Sequence, residues 1–233
     1  MKLAIATKQN LFIYAVFLAI ALAGIYYGRA ITHSYAFVRV WDFTNLAMML
    51  IGIPFLFLQA RVGLPEFWDK RITNKKRILY PLLIGICFGL LDILIVKVIM
   101  HPAPYAELPP FLQPFPYSIF LYVSGAFEIE VFYRLIPLTL ILLLGKWFKS
   151  GQYYTYFVWA GILLTALREP LEQFPDGNLA FILYSLITGL LMNALQAFYF
   201  TKAGFVASIS LRLGHYLLWH ILLGVYVQFF ELP

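Results

Sequence analysis

Long apolar runs constrain the fold of this chain more than any other feature. Hydrophobic residues make up 62% of its 233 residues and charged residues only 12%, with a mean hydropathy of +0.82. About twenty apolar residues span a bilayer as a helix, and backbone groups in hydrocarbon must be hydrogen bonded within the segment. The sequence therefore predicts one all-α, polytopic membrane domain over residues 1–233. Its seven predicted crossings are 11–28, 44–60, 78–100, 117–145, 153–168, 179–200 and 205–230.

The distribution of lysine and arginine predicts how these helices are oriented. Positive charge concentrates in cytoplasmic loops. With a cytoplasmic N-terminus, eleven basic residues fall inside, and three (Arg29, Arg39 and Arg168) fall outside or at a helix end. We therefore expect a multi-pass protein of the plasma or inner membrane, with lipids as neighbours and no nucleic-acid partner. The eleven are Lys2, Lys8, Arg61, Lys70, Arg71, Lys75, Lys76, Arg77, Lys146, Lys149 and Lys202.

Ionisable residues interrupt the fourth apolar segment near its middle. Glu128, Glu130 and Arg134 lie within 117–145, which is otherwise almost free of charge. A charged group at the centre of a bilayer costs at least about 2.5 kcal/mol on insertion scales, so such a group indicates a functional site. Glu130 and Arg134 are four residues apart, and on an α-helix this spacing predicts an ion pair.

The third segment combines polar residues with small ones. Gly85 and Gly89 have the spacing that lets two membrane helices pack closely. Asp92 and Lys97 are five residues apart and do not share a helix face well. Since Lys97 can extend its amine to the membrane interface, we expect a structural role for these two charges.

The last three segments carry the remaining candidates. Arg168 and Glu169 precede Pro170, where we expect a helix end near the membrane edge. Asn193 and Gln196 share a face and are expected to hydrogen bond across helices. Arg212, His215 and Trp219 recur at intervals of three and four residues and so form one stripe. A histidine inside a bundle can serve as a base, an oxyanion donor or a metal ligand.

Several classes of site lack their sequence patterns here. Zinc sites usually show paired cysteines or a His-Glu-x-x-His helix, and this chain has neither. The single cysteine, Cys87, lies in an apolar run, where cysteine usually acts as a small hydrophobic residue. We expect no cofactor, while a requirement for a metal stays open.

Two stretches give the chain a resemblance to a known family. One is Ile129-Glu130-Val131-Phe132-Tyr133-Arg134, followed by Leu-Ile-Pro, and the other runs from Gly189 through Gly204 and His215 to Gly224. Over about residues 117–224 the chain resembles the CPBP, or Abi, family of CAAX prenyl endopeptidases and bacteriocin-processing membrane proteases. That family has three motifs, Glu-Glu-x-x-x-Arg, Phe-x-x-x-His and His-x-x-x-Asn/Asp, on successive helices.

The resemblance implies an intramembrane peptidase fold and a set of site residues. In the family, the first glutamate and the second-motif histidine activate water, while the third-motif histidine and asparagine hold the oxyanion. Carried over by position, the matching residues expected to be catalytic are Glu130, Arg134 and His215. The site is expected to be lined by Glu128, Arg168, Glu169 and Trp219. The implied ligands are prenylated or leader-bearing peptides, or a partner membrane protein.

The chain also departs from the family pattern at three matched positions. Isoleucine (Ile129) replaces the first glutamate, arginine (Arg168) replaces the second-motif histidine, and Trp219 replaces the asparagine. Arginine cannot act as a base in proteins. Two interpretations follow. One is a divergent protease whose water is held by His215 with Glu130, Glu128 or Glu169. The other is a non-catalytic protein of the same fold that binds membrane segments or partners.

A third interpretation belongs to a different class of protein. Asp92 and Glu130 could couple an ion to transport, because intramembrane carboxylates mark ion pathways in transporters. Transporters of that kind usually show an inverted repeat or a pair of broken helices, and neither is visible in this sequence.

Overall fold

The computed structural model describes residues 2–35, 37–101 and 103–232, with the backbone alone for residues 2–7. These residues form helices joined by loops, as predicted. The short helices are α2, Phe43–Leu50, and α3, Ile53–Leu58. The long helices are α1, Lys2–Ile31; α4, Lys75–Met100; α5, 117–147; α6, Tyr154–Glu172; α7, Leu179–Ala203; and α8, Phe205–Glu231.

Four of the helical stretches are long and apolar enough to cross a membrane. They are Lys8–Ser34, Lys75–Met100, Leu179–Ala203 and Phe205–Glu231. Each contains or closely matches one of the predicted segments. The stretch Phe43–Leu58 is apolar but shorter, and it is divided where Gly52 and Pro54 begin α3. The chain is therefore an α-helical bundle with the length and composition of a membrane protein.

Glycines set the closest helix contact, between α4 and α8. A Cβ atom on Gly85 would lie 1.9 Å from the Leu211 carbonyl oxygen, and one on Gly89 would lie 2.9 Å from that of His215. From the other side, a Cβ on Gly214 would lie 2.2 Å from the Leu82 carbonyl oxygen. Only hydrogen atoms fit between these backbones, which confirms the predicted role of the small residues.

Loop contacts tie together one end of the bundle. The Asn10 Oδ1 atom of α1 accepts a hydrogen bond from the Phe67 backbone N–H (3.0 Å). The Tyr154 hydroxyl, at the start of α6, donates to the Val62 carbonyl oxygen. Gly204, between α7 and α8, has φ +86° and packs against Glu66. The loops at residues 59–74, 148–153 and 204 thus share one end of the molecule with the start of α1.

The charges on this end are mostly solvated, with one exposed ion pair. Arg71 donates several hydrogen bonds to Asp69, one of them from Nη2 at 2.6 Å. These hydrogen bonds hold the pKa of the Asp69 carboxyl below its usual range. Arg77, by contrast, is buried with its guanidinium 4.4 Å from the Trp68 ring centroid. Arg77 therefore fastens the loop to the first turn of α4.

A second set of contacts joins the opposite end. Lys97 Nζ lies 2.9 Å from Glu231 Oε1 with both side chains nearly buried, and it also donates to the Ala103 carbonyl oxygen (2.9 Å). The Tyr105 N–H donates to the other Glu231 oxygen (3.0 Å). The irregular connector 101–113 is thereby held against the end of α8. Lys97 therefore has the structural role that the sequence predicted, because it forms an ion pair with Glu231.

Candidate functional site

The two central residues of α5 do not form the predicted ion pair. Glu130 and Arg134 are both 0% exposed, yet neither oxygen of Glu130 has a hydrogen-bond partner among the described residues. Arg134 instead donates to the carbonyl oxygens of Tyr133 (2.9 Å) and Thr165 (3.2 Å) and to the Asn193 side chain. The prediction of a Glu130–Arg134 pair was wrong.

The local geometry of α5 explains this difference. Residues Val131–Leu135, which include Arg134, form a π-helical turn directly after Glu130. A π turn holds more residues than an α turn, so a spacing of four no longer aligns two side chains. Pro137 favours such a distortion because it has no N–H for the Tyr133 carbonyl, and Arg134 supplies a donor to that carbonyl.

A buried ion pair connects α6 with α8. Arg212 donates to both oxygens of Glu169, through Nη1 at 2.8 Å and Nη2 at 2.5 Å. The α7 side chains complete the arrangement, because Arg212 Nη2 also lies 2.9 Å from Gln196 Oε1 and 3.1 Å from Asn193 Oδ1. Asn193 and Gln196 accept hydrogen bonds from helices on both sides, which confirms their predicted cross-helix role.

His215 contacts a carboxylate that the sequence did not single out as its partner. Its Nε2 atom lies 2.6 Å from Asp92 Oδ2 on α4. The Tyr184 hydroxyl of α7 donates to Asp92 Oδ1, also at 2.6 Å. His215 and Asp92 are 123 residues apart in the chain. The sequence shows which residues share a face of one helix, but it does not show which faces of two helices meet.

The neighbours of His215 on α8 are held by aromatic contacts. Trp219 stacks on Phe111, with ring centroids 5.1 Å apart. His220 stacks on Tyr122 (4.3 Å), and its Nδ1 lies 2.8 Å from the Phe111 carbonyl oxygen. Because a carbonyl oxygen only accepts, Nδ1 of His220 carries the hydrogen.

Arg168 lies at the exposed edge of the same region. Its Nε atom is 2.8 Å from Glu172 Oε1, and Nη1 donates to the Phe132 carbonyl oxygen (2.8 Å). Its guanidinium also lies 4.2 Å from the centre of the Tyr133 ring. The Arg168 side chain is thus held by one contact within α6 and two with α5, while Glu169, the next residue, points inward to Arg212.

Three of the cavities beside α8 are lined by candidate site residues. The largest, about 750 Å³, is lined by residues of α5, α6 and α8 that include Glu128, Ile129 and Arg168. A second, about 270 Å³, is lined by Glu169, Arg212, His215 and Trp219 among others. The third, about 240 Å³, contains Asp92, Tyr184, His215 and Trp219 in its walls. Glu130 and Arg134 line none of these three cavities.

The cavities adjoin one another through shared walls. Gln173, Tyr216 and His220 line both the 750 and the 270 Å³ cavities, and Ser185 and His215 line both smaller ones. Within the described residues, no group of three His, Cys, Asp or Glu side chains is placed to hold a metal ion.

No protein-family model, curated protein or solved structure matches this chain.

Proposed function

We propose that this chain is a membrane protein of CPBP-like fold that binds a lipidated or membrane-inserted peptide in the 750 Å³ cavity. In this proposal the family's standard pair for activating water has been lost. The peptide lies between α5, α6 and α8. It is bound there, and the family's usual glutamate–histidine pair is not present to cleave it.

One observation carries the proposal. Ile129 on α5 and Arg168 on α6 stand at the positions of the family's water-activating glutamate and histidine, and both line the 750 Å³ cavity. Ile129 and Arg168 lie on different helices and were matched to the family's motifs by sequence alone, and both line the same cavity. In our proposal this cavity corresponds to the family's site, and the two side chains that would activate water there are absent.

Two neighbouring carboxylates, those of Glu130 and Glu169, are poorly suited to replace the missing pair. A general base must come within hydrogen-bond reach of the water it activates, directly or through one water. Glu130 is fully buried and lines none of the three cavities. Glu169 accepts hydrogen bonds from Arg212 at both oxygens. In our proposal Arg134 and Glu169 therefore brace the helices.

The size and walls of the cavity suit a peptide or a lipid chain. Ligand sites commonly have volumes of about 300–1,000 Å³, with mostly apolar walls and a few polar groups. Here six of the fourteen lining residues are aromatic, among them Trp41, Tyr122 and Tyr216, and Arg39, Glu128 and Arg168 add charged groups. Such walls can bury an apolar chain while a few groups orient a peptide backbone.

We also propose seven crossings, a cytoplasmic N-terminus and a location in the cell membrane. The contacts of the loops support this topology. The loops assigned to the cytoplasm contact each other or the start of α1, through Asn10–Phe67, Tyr154–Val62 and Gly204–Glu66. The loops assigned to the outside contact each other as well, since Gln113 Oε1 accepts from the Arg39 N–H (2.8 Å).

A binding experiment tests the proposed function. The purified protein is incubated with a fluorescent prenylated peptide, affinity is measured by anisotropy, and the bound peptide is recovered for mass spectrometry. Gly125 lines the cavity, so Gly125→Leu should fill part of it and weaken binding about tenfold, which corresponds to about 1.4 kcal/mol.

The control variant is Leu140→Phe, because Leu140 lies on the same helix and faces outward. We expect it to bind as the wild type does, and we expect the recovered peptide to be intact. Unchanged affinity in Gly125→Leu, or a shortened peptide from the wild type, would contradict the proposal.

A further inference from the structure

The pair formed by Asp92 and His215 has the arrangement of a base and its orienting group. A carboxylate oxygen can only accept, so the 2.6 Å contact requires a hydrogen on Nε2 of His215. In a neutral imidazole ring with that hydrogen, the Nδ1 atom carries the free electron pair. That atom is buried and has no hydrogen-bond partner among the described residues.

The surroundings of His215 point to a ligand. The ring is 7% exposed and lines both the 240 and the 270 Å³ cavities. An orphan acceptor in a buried position is costly unless a water or a ligand supplies a donor. Trp219, one turn further along α8, lines the same two cavities, and its indole N–H is a donor only.

The 240 Å³ cavity lies between α4 and α7, and His215 and Trp219 of α8 complete its lining. Its remaining walls are largely apolar and include Phe88, Val96 and Phe181. Leu183 and Ile187 on the same α7 helix face outward, at 48% and 63% exposure. A ligand that enters here from the apolar exterior would be an alkyl chain carrying a small polar group.

We propose that Asp92 and His215 activate water for the hydrolysis of a carboxylic ester of an acyl chain in this cavity. His215 is the catalytic base and Asp92 is its positioning residue. The activity goes beyond the peptide binding proposed above and does not depend on it, because it uses a different cavity.

The reaction balances with water alone. His215 Nδ1 takes a proton from water as the water oxygen bonds to the ester carbonyl carbon, and the carbonyl electrons move to oxygen. Trp219, whose indole N–H is a donor, lines the same cavity and is proposed to donate to this oxyanion. The carbon–alkoxide bond then breaks, the alkoxide takes the proton from His215, and the products are a fatty acid and an alcohol. An ester suits a site with a single proton carrier, because an alcohol leaves more readily than an amine.

The test uses 4-nitrophenyl octanoate and the purified full-length protein in detergent micelles. A positioned base contributes about 10²–10⁴-fold to rate. We expect His215→Gln to lower kcat about 10²-fold or more, and Asp92→Asn to lower kcat at least about tenfold with little change in KM. A substitution that only disturbed packing would change KM as well. The wild type should also show a solvent deuterium isotope effect on kcat that His215→Gln lacks.

Control variants take the same substitutions at exposed positions outside the cavities. His101→Gln and Asp176→Asn should hydrolyse the ester as the wild type does. Ser185 lines the cavity and takes no part in the hydrogen bonds of the pair. Ser185→Leu should therefore raise KM, and it provides a test should a variant of the pair fail to fold.

Two results would overturn the proposal. One is wild-type hydrolysis no faster than that of His215→Gln, and the other is a Ser185→Leu variant with unchanged KM. Since the substrate contains no peptide, these results are independent of the peptide-binding experiment.

Discussion

Arg212 and Glu169 are joined by two hydrogen bonds, of 2.8 and 2.5 Å, between α8 and α6. The pair is almost completely buried, with the arginine side chain 1% and the glutamate side chain 11% exposed. Buried charges are stable only when every polar atom finds a partner. Gln196 and Asn193 of α7 supply the additional acceptors. The contacts among α6, α7 and α8 therefore depend on the guanidinium group of Arg212.

We expect Glu169→Gln to destabilise the protein by about 3–5 kcal/mol, because it leaves the Arg212 charge buried without its counter-ion. The free energy of unfolding is measured in mixed micelles by titration with a denaturing detergent. Glu172→Gln is the matched control, since Glu172 pairs with Arg168 at the exposed surface of the same helix. It should cost no more than about 1 kcal/mol. Equal losses for both variants would refute a special role for the buried pair.

The close approach of α4 and α8 predicts opposite effects for two glycine substitutions. A methyl group at Gly85 would lie 1.9 Å from the Leu211 carbonyl oxygen, whereas one at Gly125 would meet nothing closer than 3.8 Å. Gly85→Ala should therefore destabilise by about 1–3 kcal/mol through overpacking. Gly125→Ala should be neutral or stabilising by up to about 1 kcal/mol, since alanine favours the helix. Thermal unfolding of both variants measures this, and a stable Gly85→Ala protein would contradict the packing described.

The ion pair between Lys97 and Glu231 should hold the connector 101–113 against α8. We expect the single variants Lys97→Met and Glu231→Gln to be less stable than the wild type. The double variant should lose less than the sum of the two. The coupling energy from a double-mutant cycle should be about 0.5–3 kcal/mol, as for residues in direct contact. Additive losses would mean that the two side chains do not stabilise each other.

Cysteine labelling tests the proposed seven-crossing topology. In a Cys87→Ala background, single cysteines replace exposed loop residues, and intact cells are treated with a membrane-impermeant maleimide. We expect labelling of intact cells at His33, Glu107 and Asp176, and labelling at Thr73 and Gln152 only after lysis. Labelling of Gln152 in intact cells would disprove the proposed number of crossings or their orientation.

Much of the architecture could be predicted from the sequence, because length and hydropathy determine membrane helices almost locally. The segments predicted at 179–200 and 205–230 match helices Leu179–Ala203 and Phe205–Glu231 closely. The small-residue spacing of Gly85 and Gly89 also predicted the helix contact that the structure shows.

The pairing of polar groups could not be predicted in the same way. The expected Glu130–Arg134 pair assumed regular α-helix, and a π turn before Pro137 separates the two side chains. The contact between Asp92 and His215 depends on which faces of α4 and α8 meet. Packing over the whole bundle determines which faces are in contact, and no local sequence pattern predicts it.

Photocrosslinking tests most directly the central claim that a peptide is bound without being cleaved. Benzoylphenylalanine is placed at Ile129, in the wall of the 750 Å³ cavity, or at Leu140, which faces outward on the same helix. Each protein is irradiated with a prenylated peptide in lipid nanodiscs, and the adducts are weighed by mass spectrometry. We expect a severalfold higher yield at position 129, with the mass of the intact peptide. Equal yields at the two positions, or adducts of a shortened peptide, would contradict the account.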